Sequence, residues 1–251
     1  MDIAWIWIPV TILAAAFQVG RNVIQRRLVE ELGTIGATQV RFLYGLPFAT
    51  LLVLGTLWIT GADAPVMNMD FLIFIFCGSS TQIIATAFML AAMRKGSFVV
   101  VTAYTKTEPI QVAIFGAIVL NETFSGISII AIIIASLGVI ILSTSRENKA
   151  IDKKIWSSIL MGVISGGFFA VSAVSFRGAL VSLGDDSLLV RTTWSLMCAL
   201  CIQVALLGIW MSIFQRQLYL KCFKAWQASI WGGLLGVMAS QMWFIAFALT
   251  F

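Results

Sequence analysis

Apolar residues run in long blocks through most of this chain, broken only by short polar interruptions. A hydrocarbon core about 30 Å thick takes roughly 20 helical residues at a rise of about 1.5 Å each. On that ruler, membrane spans are expected near 4–24, 36–59, 70–92, 98–120, 124–144, 155–177, 187–212 and 226–251. The expected fold class is therefore all-α, a polytopic transmembrane helix bundle. Trp5, Trp7, Trp58, Trp156, Trp210 and Trp226 fall near the proposed ends, where an interfacial aromatic belt would sit. The connections are short, and the longest polar linker is STSRENKAIDKK at 143–154. The first apolar run follows Asp2 rather than a cationic segment, so it reads as a retained helix, not a cleaved signal.

Composition supports the same class. Hydrophobic residues make up 60% of the 251 and charged residues 11%, with a mean hydropathy of +1.00, whereas a soluble domain carries about 25% charged residues. Histidine is absent, which removes the commonest general base and the commonest metal ligand. No paired-carboxylate motif appears, and the connections are too short to build a separate catalytic site. The chain is accordingly read as no enzyme, with neither cofactor nor metal. Cys198 and Cys201 form a CxxC, but inside the apolar run WSLMCALCIQVALLGIW they read, with Cys77 and Cys222, as small packing residues.

The net charge of +5 does not point to nucleic acid, because most cations flank helix ends. Arg21, Arg26 and Arg27 follow the first span, Arg94 and Lys95 the third, Arg146, Lys149, Lys153 and Lys154 the fifth, and Arg216, Lys221 and Lys224 the seventh. The other side holds Arg177, and Arg41, Lys106 and Arg191 belong to spans. The positive-inside rule then places the odd-numbered connections in the cytoplasm and the N-terminus outside.

The chain also repeats itself. QIIATAFML at 82–90 parallels QMWFIAFAL at 241–249, aligning Gln82 with Gln241; VRFLYGLPFATL from Val40 parallels VRTTWSLMCALC from Val190; and FQVGRNVIQRRLV from Phe17 aligns loosely with FAVSAVSFRGALV from Phe169. Spans one, two and three thus correspond in order to six, seven and eight. A five-helix unit has an odd number of crossings, so a second copy enters the membrane inverted, the plan of secondary transporters. The expected organisation is a first repeat over 1–145 and a second over 155–251 that holds only its first three helices, so the chain reads as ending about two helices early.

Several motifs now resemble EamA-type transporters of the drug/metabolite transporter superfamily: AFMLAAMRKGS closing span three, Pro109 opening a long apolar run, LNETFSG with Glu122 at its end, Gly138 in SLGVIIL, and VRF with Arg41. The resemblance implies ten helices in two inverted halves around a central substrate cavity. It also implies a cytoplasmic N-terminus, opposite to the charge distribution.

Polar residues inside the spans are the candidate chemistry. If span four starts at Phe98, Lys106 lies about 12 Å deep and Glu108 about 15 Å deep, near the midplane. Each charge costs about 2.5–3.5 kcal/mol there, so both should face protein or water. On a continuous helix they point to different faces and cannot simply pair with each other; Glu108 shares its face with Tyr104 and Gln111. Pro109 deprives the Thr105 carbonyl of its helical partner, so a kink or unwinding is expected. Two readings stay open for Lys106 and Glu108: substrate contact, or a structural pair with a fixed charge such as Arg41 or Arg191. Gln82 and Gln241 either line a cavity or bond between helices. Arg41 and Arg191 read as interfacial anchors, and Glu122 as a cap or loop contact. Gly162/Gly166 and Gly232/Gly236 are GxxxG pairs that let helices approach.

The functional expectation is a secondary transporter, an exporter of small polar metabolites by alternating access, with substrate contacts at Lys106, Glu108, Tyr104, Gln82, Gln241 and Gln111. The alternative is a structural or partner-dependent half-transporter subunit, inactive alone for want of its last two helices. The expected partners are a small metabolite, a coupled proton at Glu108, the lipid bilayer and a second copy in a homodimer; nucleic acid is excluded. The expected location is the plasma membrane, the bacterial inner membrane, crossed several times.

Overall fold

A computed structural model describes residues 5–119, 125–144, 153–184 and 187–249. Every element among them is a helix: α1 (Trp7–Thr60), α2 (Met69–Lys95), α3 (Phe98–Thr105), α4 (Glu108–Val119), α5 (Gly126–Thr144), α6 (Lys153–Ser182), α7 (Leu188–Phe214), α8 (Arg216–Lys224) and α9 (Trp226–Leu249). Five of these, α1, α2, α6, α7 and α9, are long and apolar enough to cross a membrane. The six tryptophans expected in the interfacial belt are all exposed.

The expected loop between the first two spans does not exist. Helix runs on for 54 residues, about 81 Å if straight, and turns back on itself at one residue. Gly33 has φ 66° and ψ −179°, an essentially glycine-only conformation that costs other L-residues about 1–3 kcal/mol. The fold-back follows from contacts across it. The Gln25 Nε2 donates to the Ala37 carbonyl at 3.4 Å, although twelve residues of straight helix separate their ends by about 18 Å. Thus α1 has two limbs. Arg21, assigned above to the connection after the first span, is instead buried in the first limb.

The chain divides into two compact units, one formed by Met1–Ser80 with Ser175–Phe251 and the other by Thr81–Val174. In the first, α1 packs chiefly against α9 and α7. A Cβ on Gly233 would run into the backbone of Tyr44 and Gly45, and one on Gly45 would meet Val237 at 3.2 Å. Here α9 presents bare backbone, which lets two helices approach within the reach of dispersion forces. Close by, the Tyr44 hydroxyl donates to the Cys222 and Phe223 carbonyls at 3.1 Å, tying α1 to the short helix α8. Gly78 of α2 accepts the Phe176 ring of α6, and Gly178 of α6 accepts the Phe74 ring of α2, a reciprocal knob-and-hole pair. Phe71, Ile75, Phe176, Leu180 and Phe244 form a core that Cys198 joins, in keeping with its reading as a packing residue. Asn68 starts α2 by accepting from the Phe71 N–H at 2.8 Å, an N-cap.

In the second unit, α6 lies along α2. The Ser158 hydroxyl donates to the Ala92 carbonyl at 3.0 Å and Ser165 to Ala85 at 2.7 Å. The Phe88 and Phe168 rings stack between them with centroids 6.0 Å apart.

Two outcomes are expected. Gly33→Ala should lower stability by about 1–3 kcal/mol, whereas Gly55→Ala, with open space around an ordinary helical position, should be neutral or raise it by about 0.5–1 kcal/mol; denaturant titration in detergent compares them. Cys222 is buried against the Gly36 carbonyl, with Sγ 3.8 Å away, and burial pushes its thiol up to about 11. Since the thiolate is the nucleophile, the folded chain should resist a maleimide at Cys222 at pH 8 and react after denaturation. Equal labelling rates before and after would refute that packing.

Candidate functional site

Span four, expected as one helix over 98–120, is two. Residues α3 and α4 flank an interruption at Lys106 and Thr107. Its local cause is visible in the sequence TKTEP. The Pro109 ring has no N–H to give the Thr105 carbonyl. Thr105 and Thr107 instead turn their hydroxyls back on the chain, donating to the carbonyls of Thr102 at 2.8 Å and Tyr104 at 2.9 Å. The Lys106 and Thr107 amides tighten onto Ala103 (2.9 Å) and Tyr104 (3.3 Å), the three-residue pattern in which helices end. A new helix then begins at Glu108. Pro109 is tolerated in its first turn, and the Glu108 carboxylate sits at the positive end of the helix dipole.

The interruption corrects one expectation. On a continuous helix Lys106 and Glu108 diverge, but here the chain turns between them and Lys106 Nζ lies 4.0 Å from Glu108 Oε2. Gln111, one turn into α4, donates through Nε2 to Thr107 Oγ1 at 3.2 Å. Thr107 therefore links Gln111 to the Tyr104 carbonyl. Four of the expected site residues, Tyr104, Lys106, Glu108 and Gln111, are gathered on this one segment.

Helix α6 closes it from one side with glycines. A Cβ at Gly162 would lie 3.1 Å from Tyr104 Cβ; at Gly166, 3.0 Å from the Thr105 oxygen and 3.2 Å from Thr107 Oγ1; at Gly167, 2.7 Å from Gln111 Oε1. The GxxxG pair at 162 and 166 thus does what was expected of it and also positions the interruption. From the sequence Thr107 belongs to the polar spot beside Pro109 but is not among the expected site residues, and Gly167 is not singled out. The signal for Gly167 was its place beside Gly166; for Thr107 it was the ability of a threonine hydroxyl to cap a broken turn.

The remaining candidates lie elsewhere. Gln82 is half-buried on α2 in the same unit, three residues before the Ala85 that bonds α6. Gln241 belongs to the other unit, where it is buried and its Nε2 donates to Thr192 Oγ1 of α7 at 3.0 Å. That is the interhelical bond of its second reading. Arg41 is not an interfacial anchor: it is buried, with its guanidinium 5.0 Å over the Phe42 ring, because α9 covers the limb that carries it. Arg191 is half-buried and donates to the Leu180 carbonyl at 3.4 Å. Glu122 lies outside the described residues.

A polytopic helical bundle with an interrupted, charged helix is a multi-pass membrane protein. The model of the EamA-like transporter family matches residues 5–144, more than half of the 251. The chain belongs to that family, and with it to the drug/metabolite transporter superfamily, whose members are membrane transporters of small solutes. A comparison with curated protein sequences gives no match.

The glycines around the interruption should differ in their tolerance. Gly166→Ala presses a methyl on a backbone carbonyl and should cost about 1–3 kcal/mol, while Gly167→Ala meets only the end of the flexible Gln111 side chain and should cost less. Thermal unfolding in detergent ranks them, and the reverse order would contradict the packing described.

Proposed function

We propose that this chain is a secondary-active carrier that exports small polar metabolites from a bacterial cell across the inner membrane by alternating access. In this reading Lys106 and Glu108 meet the charged groups of the solute, and Glu108 carries a coupled proton when its pair with Lys106 opens. Tyr104 and Gln111 flank them and Gln82 contributes from the same unit; Gln241, repeat-related to Gln82, would meet the solute within its own unit. The two units of the repeat, 1–145 and 155–251, would be inverted copies, and a homodimer is the proposed assembly.

One observation carries the reading: a helix that stops and restarts at an ion pair inside an otherwise apolar stretch. Interrupted helices place backbone ends and dipoles where a solute or ion can use them, and membrane proteins tolerate them where neighbours or a water-filled path cover the break. The family membership agrees with a solute-transporting role. Opposite charges 4.0 Å apart suit a solute that carries both signs, or one that exchanges with a proton.

The test is flux. In liposomes holding the purified chain and screened against a panel of polar metabolites, Lys106→Ala and Glu108→Gln should each lower flux at least tenfold, the loss of one charge-assisted contact of about 1.5–3 kcal/mol. Glu108→Gln should also abolish any dependence on an imposed pH gradient. Unchanged flux in both variants rejects the site.

A further inference from the structure

We propose that α8 is an interfacial helix that binds anionic phospholipid, with Lys221 and Lys224 on the headgroup phosphate and Leu220 and Phe223 against the acyl chains. This surface belongs to the first unit. It rests on the multi-pass character of the chain and not on the Lys106–Glu108 reading.

The place of α8 follows from its neighbours. It joins α7, which ends at Phe214, to α9, which starts at Trp226, and both of these are long and apolar enough to span. The 9 residues of α8 make about 14 Å of helix, under half the hydrocarbon thickness, so it stays at one membrane face. Its inner side is fixed to the protein. Cys222 is buried with Sγ 3.8 Å from the Gly36 carbonyl, and a Cβ on Gly36 would lie 3.3 Å from Leu218 Cδ1. The Tyr44 hydroxyl holds the Cys222 and Phe223 carbonyls.

The outer side is divided lengthwise. At about 100° per residue, Leu220 and Phe223 fall about 60° apart on one edge, and Lys221 and Lys224 are equally close on another. Leu220 is 53% exposed and Phe223 47%, and both lysines are exposed. The Phe223 ring stands edge-on to Tyr219, with centroids 5.0 Å apart. Exposed Ile213 and Phe214 precede α8 and exposed Trp226 follows it, so the lipid-facing surface reaches both of its ends.

Charge selects the lipid. The last part of the chain, 187–251, carries Arg191, Arg216, Lys221 and Lys224 and not one Asp or Glu. The charged residues just before the Gly33 turn, Arg26, Arg27, Glu30 and Glu31, sum to zero. A helix with an apolar and a cationic edge lies in the interface plane, and its cations draw anionic headgroups. Lysine suits this place, because its stem can stay on apolar surface while the ammonium reaches the phosphates.

Native mass spectrometry of the full chain in detergent compares dioleoyl phosphatidylglycerol with dioleoyl phosphatidylcholine. The first should bind at least tenfold more tightly, about 1.4 kcal/mol, and about 0.5 M salt should weaken that preference by screening. Lys221→Gln combined with Lys224→Gln should remove the preference, while the corresponding pair of arginine substitutions should keep it. Leu220→Ser combined with Phe223→Ser should weaken both lipids. Arg94→Gln, on an exposed cation of α2, should leave both affinities within twofold. Equal binding of the two lipids, a preference that survives in the glutamine pair, or the same loss in Arg94→Gln overturns the proposal. If the glutamine pair does not fold, salt decides, and a preference that salt leaves unaltered overturns it. Soluble glycerol phosphate binding as tightly as the lipid also overturns it, as a solute site.

Discussion

Hydrocarbon supplies no hydrogen-bond partner, so a backbone group in a spanning segment must find one within the protein. The break at Lys106 and Thr107 shows how that requirement is met, and the turn at Gly33, between the first two expected spans, is sealed in the same way. At Gly33 the side chain of Gln25 reaches the Ala37 carbonyl, and the Thr38 hydroxyl returns to Thr34 at 2.8 Å. At Lys106 and Thr107 two amides tighten onto earlier carbonyls and two threonine hydroxyls cover others. In both cases the departure is compact, because every additional irregular residue would expose another amide and carbonyl to be satisfied.

Compact irregularity needs neighbours that approach closely, which explains where the glycines lie. Between helices in lipid the driving force is dispersion and fit, since lipid tails are as apolar as leucine. Gly233 against Tyr44 and Gly45, the reciprocal Gly78 and Gly178 holes, and the α6 glycines beside the interruption all maximise that fit. Interhelical hydrogen bonds such as Trp243 Nε1 to Gln18 Oε1 at 2.8 Å and Gln241 to Thr192 add about 0.6 kcal/mol each on average. They fix register more than they supply stability. Packing decides which helices meet, and the polar pairs decide how.

Much of this was legible in the sequence, and the failures share a cause. Span positions follow from hydropathy and length, which the bilayer sets directly. The loop expected between the first spans was wrong because RRLVEEL is strongly helix-forming and the reversal occupies a single glycine, too brief for a composition signal. The Lys106–Glu108 pair is not legible in the sequence, because on an unbroken helix residues two apart face away from each other. Proline alone could not have decided that: Pro47 lies inside α1 with the helix continuous around it, whereas Pro109 coincides with a break. The difference lies in the threonines before Pro109, whose hydroxyls compensate the lost helical bonds. Arg41 was misjudged because depth along a span says nothing about which helix covers it.

The ion pair at the break in the fourth span bears on transport. Lys106 Nζ and Glu108 Oε2 lie 4.0 Å apart; on the carrier reading proposed above, such a pair would let an empty carrier change state without moving net charge through a low-dielectric region. A solute bound there must compete with the pair, which weakens binding and eases release. On the carrier reading, this pair would set how easily solute leaves.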